Sequence, residues 1–223
     1  MDTNRNTAIV VGGLFIIGTV SGILSAVFTG SILGASDYLV QVAANETQML
    51  TGAFFILIMG LSLAMVPVMM YPLFKKQNEV LALGAVVFRG PIEAAVYILM
   101  VVSWLLLIVV SQESANAADA SSFQALGAVL VKASETINPV LEIVFSLGAL
   151  MFYTLFYQTH LIPRWLSGWG IVGAIVYLVA GVMALFGTAM DFLLALLGVQ
   201  EMVMALWLIF RGFNPSANTA ENS

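Results

Sequence analysis

The sequence predicts an all-α fold, a polytopic membrane bundle of six transmembrane helices, on the basis of its composition, its apolar stretches and its charge distribution. Hydrophobic residues make up 61% of the 223 residues and charged residues 9%, and the mean hydropathy is +1.03. Soluble domains average roughly 45–50% apolar and about 25% charged residues. A soluble enzyme domain is therefore excluded. With seven basic against twelve acidic residues, the chain also lacks the basic face that nucleic-acid binding needs.

Six apolar stretches are long enough to cross the hydrocarbon core of a bilayer, which takes about 20 residues. The connections between them are too short for a soluble domain, so residues 1–223 are expected to form a single transmembrane domain with a polar cytoplasmic tail over 211–223. The first stretch is too long for a cleaved signal peptide and is expected to stay as an anchor. The predicted spans cover about residues 8–28, 52–74, 81–110, 139–157, 165–186 and 192–210.

The basic residues predict the orientation of the bundle, because they stay preferentially on the cytoplasmic side. If both termini are cytoplasmic, five of the basic residues fall on the cytoplasmic side, and the opposite connections are acidic, with Lys132 as their single base. The sequence therefore predicts a multi-pass protein with both termini in the cytoplasm. The five basic residues are Arg5, Lys75, Lys76, Arg164 and Arg211.

Two of the outer connections are predicted to hold short amphipathic helices. The first follows Ser36 and Asp37, which are typical N-terminal capping residues. In the second, apolar residues recur at helical spacing after Ser122, another plausible cap. We expect such helices to lie flat on the membrane surface, and a lid over the bundle is the alternative. The apolar residues of the second segment are Phe123, Leu126, Leu130 and Ile137.

Four ionisable residues fall inside the predicted spans. Arg89 and Glu93 are in the third span, Glu142 is in the fourth and Glu201 is in the sixth. A charged residue at the centre of a membrane helix costs roughly 2.5–3.5 kcal/mol. We therefore expect these side chains to face the interior of the bundle, to pair with one another, or to become neutral by binding protons.

Arg89 and Glu93 are four residues apart, so they share a helix face and can form an ion pair. Gly90 and Pro91 lie between them. Proline lacks a backbone N–H and crowds the preceding turn. The sequence therefore predicts a kink beside the ion pair.

Further polar side chains share helix faces with these charges. Because a polar face toward lipid is costly, we expect the third, fourth and sixth spans to surround a common polar interior. Tyr97 follows Glu93 on one face of the third span, and Gln200 is next to Glu201 in the sixth. The polar face of the fourth span consists of Glu142, Ser146, Tyr153, Tyr157 and His160.

These observations predict a ligand-binding site in the membrane. Its four charged groups would carry a net charge of about −2 if all are ionised, which favours a cation, and partial protonation would suit proton coupling. No catalytic residue, metal or cofactor is expected, since cysteine is absent and His160 is the single histidine. The predicted ligand-binding residues are Arg89, Glu93, Glu142, Glu201, Tyr97, Tyr153 and Gln200.

Three functions of different classes stay open. The sequence favours a protein that binds or transports a small cation, a proton-coupled solute or an amphipathic ligand. One alternative is a structural or partner-binding membrane subunit in which the charged groups fix helix packing. The other is a membrane-embedded lipid-modifying enzyme that uses two carboxylates as acid and base. The expected partners are membrane lipids and a small-molecule or cation ligand, without nucleic acid, and a homo-oligomer stays open.

Six short segments of the sequence carry a resemblance to known membrane proteins. They are TAIVVG (7–12), DYL (37–39), VAANE (42–46), LIPRWLS (161–167), QEM (200–202) and RGFN (211–214). With these segments the sequence is similar, over nearly its whole length, to the bacterial integral membrane proteins of the domain of unknown function 4386 family. The resemblance implies a prokaryotic integral membrane protein with this helix count. It implies no activity, so no functional residues are inferred from it.

Overall fold

The structure is a computed structural model that describes residues 3–214, and its regular elements in this range are helices. Two short turns of other helix types are also present: a π-helical turn, Phe88–Ile92, and a 3-10 turn, Asp191–Leu193. The predicted all-α fold is therefore confirmed. The α-helices are α1 (Thr3–Leu33), α2 (Tyr38–Ala44), α3 (Glu46–Phe74), α4 (Glu79–Val87), α5 (Glu93–Asn116), α6 (Ser121–Thr159), α7 (Arg164–Leu185) and α8 (Ala195–Phe210).

Five helical segments within residues 3–214 are long and apolar enough to cross a membrane. The protein is therefore a membrane protein. The predicted sixth span corresponds to α8, which is apolar but only 16 residues long. At 1.5 Å per residue it extends about 24 Å, less than the about 30 Å of a hydrocarbon core. The five segments are Asn4–Leu33, Glu46–Phe74, Glu79–Asn116, Ser121–Thr159 and Arg164–Leu185.

The first half of α6 differs from the prediction made for the connection before the fourth span. The segment after Ser122 is not a separate short helix, because α6 continues without a break for 39 residues, through Pro139. Its apolar residues, among them Phe123 and Ile137, pack against the buried side chains of α5. This protein contact keeps the segment in line with the rest of α6. The fourth predicted span, about residues 139–157, lies within this longer helix.

The short helix predicted after Asp37 is present as α2, Tyr38–Ala44. Asp37 occupies its N-cap position, and its carboxylate accepts a hydrogen bond from Gln41 Nε2 at 3.0 Å. The apolar side chains of α2, Leu39 and Val42, are buried in the cluster formed with α3 and α5. The apolar face of α2 therefore faces protein.

The six longer helical segments form a closed ring. Around it, α1 packs against α3 and α8, α3 against α5, α5 against α6, α6 against α7, and α7 against α8. Small residues allow close contacts between some of these helices. Gly18 lies against Leu63 and Gly22 against Met59, so α1 and α3 approach closely.

The two ends of the described chain lie at the same end of this ring. Arg5 at the start of α1 donates hydrogen bonds to Leu208 O at 3.0 Å and Ile209 O at 2.5 Å, in the last turn of α8. After α8, Asn214 N donates to Leu161 O at 2.8 Å, in the α6–α7 connection. The start of α1, the end of α6 and the end of α8 are thus neighbours.

The end of α3 joins the same group, because the ring of Phe74 packs edge-on against Phe156 near the end of α6, with 5.0 Å between ring centroids. We call this end of the ring the basic end. The opposite end, which we call the acidic end, is held together by polar contacts such as that of Gln112 Nε2 with Glu46 Oε2 at 2.9 Å. The basic end holds Arg5, Lys75, Lys76, Arg164 and Arg211, and the acidic end holds Asp37, Glu46, Glu113, Asp119, Lys132 and Glu135.

Candidate functional site

The predicted kink lies at the π-helical turn between α4 and α5. Gly90 in this turn has non-helical angles, φ −93° and ψ −106°. Pro91 follows it and contributes no N–H to the helix. The turn directs Arg89 into the ring, where its side chain is completely buried.

Arg89 lies between two glutamates at the centre of the ring. Its Nη1 is 3.1 Å from Oε1 of Glu201 on α8, and its Nε is 3.5 Å from Oε2 of Glu93, one turn along its own helix. Glu93 is 1% exposed and Glu201 8%. The structure therefore brings together three of the four charged residues predicted to form the site.

Tyr153 of α6 completes the polar contacts of Glu201. Its hydroxyl donates to Glu201 Oε1 at 3.1 Å, and its ring is completely buried. The same carboxylate oxygen therefore accepts hydrogen bonds from a guanidinium and a phenol. Hydrogen bonds of this kind to a carboxylate are stronger than those between neutral groups.

Aromatic rings surround the guanidinium of Arg89. Its Cζ lies 4.5 Å from the ring centroid of Phe145 and 5.7 Å from those of Phe15 and Phe152. A cation over an aromatic face is stabilised by about 0.5–2 kcal/mol. The rings thus hold the positive charge where water is excluded.

Two glycines make room for these side chains. A Cβ at Gly148 would lie 2.5 Å from Arg89 Cγ and 3.0 Å from Arg89 N. A Cβ at Gly170 would overlap the ring of Tyr153. Both residues therefore have to be small for Arg89 and Tyr153 to reach the centre of the ring.

Glu142 lies further toward the acidic end, about 9 Å along α6 from Gly148. It is half-buried, and its side chain packs against α7, where a Cβ at Gly181 would lie 2.8 Å from Glu142 Cβ and 3.3 Å from its Oε2. Tyr177 is one turn before Gly181 on the same helix. Glu142 therefore lies on the acidic side of Arg89, in contact with α7.

Sequence reasoning missed Tyr177. Its ring packs against Phe145 with 4.9 Å between centroids, and Phe145 in turn covers Arg89. Tyr177 lies seven residues after Gly170 and four before Gly181, and this spacing places all three on one face of α7. That spacing could have identified it.

Tyr97 and Gln200 occupy different surroundings. Tyr97 is one turn beyond Glu93 on α5, with its ring against Gly60 of α3, and it interacts electrostatically with Glu93 and Arg89. Gln200 faces α7, where its Nε2 donates to Leu166 O at 3.0 Å. The structure therefore brings Tyr97 to the charged group and uses Gln200 to join α8 to α7.

The residues predicted to form one polar face of the fourth span lie in different surroundings in the structure. Ser146 is buried and donates to Glu142 O at 2.6 Å within α6. Tyr157 and His160 lie at the basic end, where Arg164 contacts both: Nε donates to His160 Nε2 at 2.7 Å and Cζ lies 5.2 Å from the Tyr157 ring. Tyr153 is the residue of this face that contacts the buried charges.

A family model described as a domain of unknown function, DUF4386, matches residues 10–212. The chain belongs to the DUF4386 family. The match covers all six helices of the ring, so the resemblance to this family inferred from the sequence is confirmed. No curated protein and no solved structure matches the chain.

The buried charges of this DUF4386 protein have unused hydrogen-bonding capacity. Within residues 3–214, Arg89 Nη2 and both carboxylate oxygens of Glu93 are buried without a hydrogen-bond partner, although Glu93 Oε2 is within ion-pair distance of Arg89. Buried polar groups are nearly always hydrogen-bonded, to protein or to ordered water. Carboxylate and phenol oxygens also bind small cations. The site can therefore accept a further small polar species.

Proposed function

We propose that this protein binds a proton or a small monovalent cation at Arg89, Glu93 and Glu201, and that this binding is a step in transport across the membrane. The charge count carries the proposal, because two carboxylates face one guanidinium. When all three are ionised, one negative charge is left without compensation. A proton or a cation of single charge neutralises it.

The depth of the site makes this neutralisation important. Arg89 lies about 15 Å along the helix from Glu79, and Glu201 about 14 Å from the end of α8 at Phe210. Both are thus near the middle of a hydrocarbon core about 30 Å thick. An unpaired charge in such surroundings costs several kcal/mol. The unpartnered oxygens of Glu93 are the atoms that would receive the proton or cation.

The proposal includes an orientation in the membrane. We place α8 as a sixth span and both ends of the chain on the cytoplasmic side of a bacterial cytoplasmic membrane. In support, Arg5 contacts the last turn of α8, and the basic residues share one end of the ring. Basic residues stay on the cytoplasmic side. The proposed polar tail over 211–223 extends into residues outside the described range.

The experiment measures the thermal unfolding of purified protein in lipid nanodiscs. One arm varies pH between about 8 and about 6 at constant ionic strength, and the other replaces Na⁺, K⁺ or Li⁺ with a bulky organic cation at fixed pH. Binding to the folded state stabilises it, by about 2.7 kcal/mol at a hundredfold excess over Kd. We expect the wild type to become more stable as pH falls or as the bound cation is added. A response to pH identifies the ligand as a proton, and a response to one of the metal ions identifies it as that cation.

Two variants decide the result. Glu93→Gln removes the uncompensated charge and is expected to abolish the response. Glu113→Gln changes an exposed carboxylate at the acidic end and is expected to keep it. If wild type and Glu93→Gln respond equally in both arms, the proposal is wrong, and the charged groups serve helix packing, as in a structural subunit.

A further inference from the structure

The ring is incomplete on the acidic side of the buried charges. Beyond Glu201, α8 extends only about 9 Å toward the acidic end, to Ala195. Next to it, α1 has Gly12 against Ala205 and Ile209 of α8, so it extends about 25 Å beyond the level of Glu201 before it ends. In the half of the bundle nearest the acidic end, α1 thus continues without α8 beside it.

The helices α6 and α7 also differ in how far they extend toward the acidic end. Glu142 of α6 lies opposite Gly181 of α7. From that level α7 extends about 6 Å toward the acidic end, whereas α6 extends about 31 Å, to Ser121. In the half nearest the acidic end, α7 and α8 therefore no longer fill the space between α1 and α6. There α2 lies between them, with Leu39 against Gly127 of α6 and the Tyr38 hydroxyl donating to Gln124 O at 3.4 Å.

A cavity of about 160 Å³ lies in this part of the ring. Its walls come from the end of α1, from α5 and from the first half of α6. Three polar residues of α6 belong to one side of it. The lining residues are Leu33, Met100, Trp104, Val131, Ser134, Glu135 and Asn138.

The floor of the cavity lies close to the buried charges. Met100 on α5 is about 10 Å along the helix from Glu93, and Tyr97 lies between them. Met100 is 7% exposed and Tyr97 8%. Buried side chains, among them Tyr97, therefore separate the cavity from Glu93.

The opposite side of the charges is closed by a thicker core. Phe74, Phe152 and Phe156 pack edge-on with centroid distances of 4.9–5.4 Å, and each is at most 1% exposed. Close-packed aromatic side chains leave no room for water. The core is therefore filled by large aromatic side chains toward the basic end, whereas toward the acidic end it contains the cavity.

From this geometry we propose that the cavity is the entrance through which a cation or proton reaches Glu93 from the acidic end, with Tyr97 as its inner barrier. The identity of the ion rests on the proposed function, whereas the route rests on the helix lengths and the cavity. The acidic end favours positive ions, because its acidic residues outnumber the basic residue Lys132, whose Nζ lies 3.1 Å from Glu135 Oε2 on the exposed rim.

The test uses single cysteines, since the sequence contains none. Purified Met100→Cys protein in nanodiscs, where both ends are accessible, is treated with methanethiosulfonate reagents of similar size, one carrying a trimethylammonium group and the other a sulfonate. Ala149→Cys is the matched control, because Ala149 is completely buried beside Gly148. Val131→Cys on the cavity wall is the second probe if Met100→Cys fails to fold.

We expect the cationic reagent to modify the cavity cysteine at least about tenfold faster than Ala149→Cys. It should also react faster than the anionic reagent, and Glu135→Gln should reduce this ratio, whereas Glu113→Gln should not. Modification no faster than at Ala149→Cys overturns the route, and an equal rate for both reagents overturns the charge preference. Labelling does not depend on ion binding, so it can fail or succeed independently of the thermal unfolding experiment.

Discussion

Arg89 and Glu201 connect opposite sides of the helical ring, with Arg89 Nη1 3.1 Å from Glu201 Oε1. The pair joins the kinked helix to α8, which are not neighbours around the ring. The side chain of Arg89 is 0% exposed and that of Glu201 10%. Desolvating two charges is expensive, but removing one of a buried pair is more expensive still. The pair is therefore sensitive to single substitutions.

Arg89→Gln is expected to destabilise the protein by about 3–5 kcal/mol, because it leaves two buried carboxylates without a positive partner. Reversible unfolding in mixed micelles measures the change. The double variant Arg89→Gln/Glu201→Gln removes one of those carboxylates and should be more stable than Arg89→Gln alone. A double variant as unstable as the sum of the two single variants would show that the two residues are not coupled.

Tyr153→Phe is expected to cost about 1.5–3 kcal/mol, since the hydroxyl that it removes donates to a buried carboxylate. Tyr157→Phe is the matched control on the same helix, because Tyr157 is 39% exposed. The control should change the free energy of unfolding by less than about 0.5 kcal/mol. Equal effects of the two substitutions would contradict the role assigned to Tyr153.

Gly148→Ala is expected to destabilise the protein by about 1–3 kcal/mol, because the added Cβ overlaps Arg89. It should also weaken the response to pH or cation by displacing the guanidinium. Gly168→Ala in α7 is the control, since a Cβ there meets no atom within 4 Å. That substitution should be neutral or stabilising by up to about 1 kcal/mol. The prediction fails if both variants unfold alike.

The orientation can be tested by cysteine labelling in intact cells. Glu113→Cys at the acidic end is expected to react with a membrane-impermeant maleimide added outside. Lys76→Cys at the basic end is expected to react only after the membrane is permeabilised, because basic residues stay on the cytoplasmic side. The reverse pattern would invert the orientation and leave the fold unchanged.

Local features of the site follow from the sequence. The spacing of Arg89 and Glu93 and the proline between them are sufficient to predict the ion pair and the kink, because both depend on one helix. The separate short helix after Ser122 was predicted wrongly, since the continuity of α6 accompanies contacts of Phe123 and Ile137 with side chains of other helices.

Contacts between distant helices could not be predicted. Which carboxylate reaches Arg89 depends on the rotation of each helix about its axis, which is set by packing. Adjacent residues on a helix point about 100° apart, and the structure shows the result in α8. Glu201 faces Arg89, whereas Gln200 faces Leu166. A polar residue next to a site residue therefore need not belong to the site.

The order of synthesis gives the closure of the ring a further consequence. Glu201 is translated 112 residues after Arg89, and Arg5 binds the last turn of α8. Arg89 and Glu93 are therefore made as a pair before Glu201 has been translated. The nascent bundle has to shelter this pair until its final helix arrives, so the contacts of the buried guanidinium are complete only at the end of biogenesis.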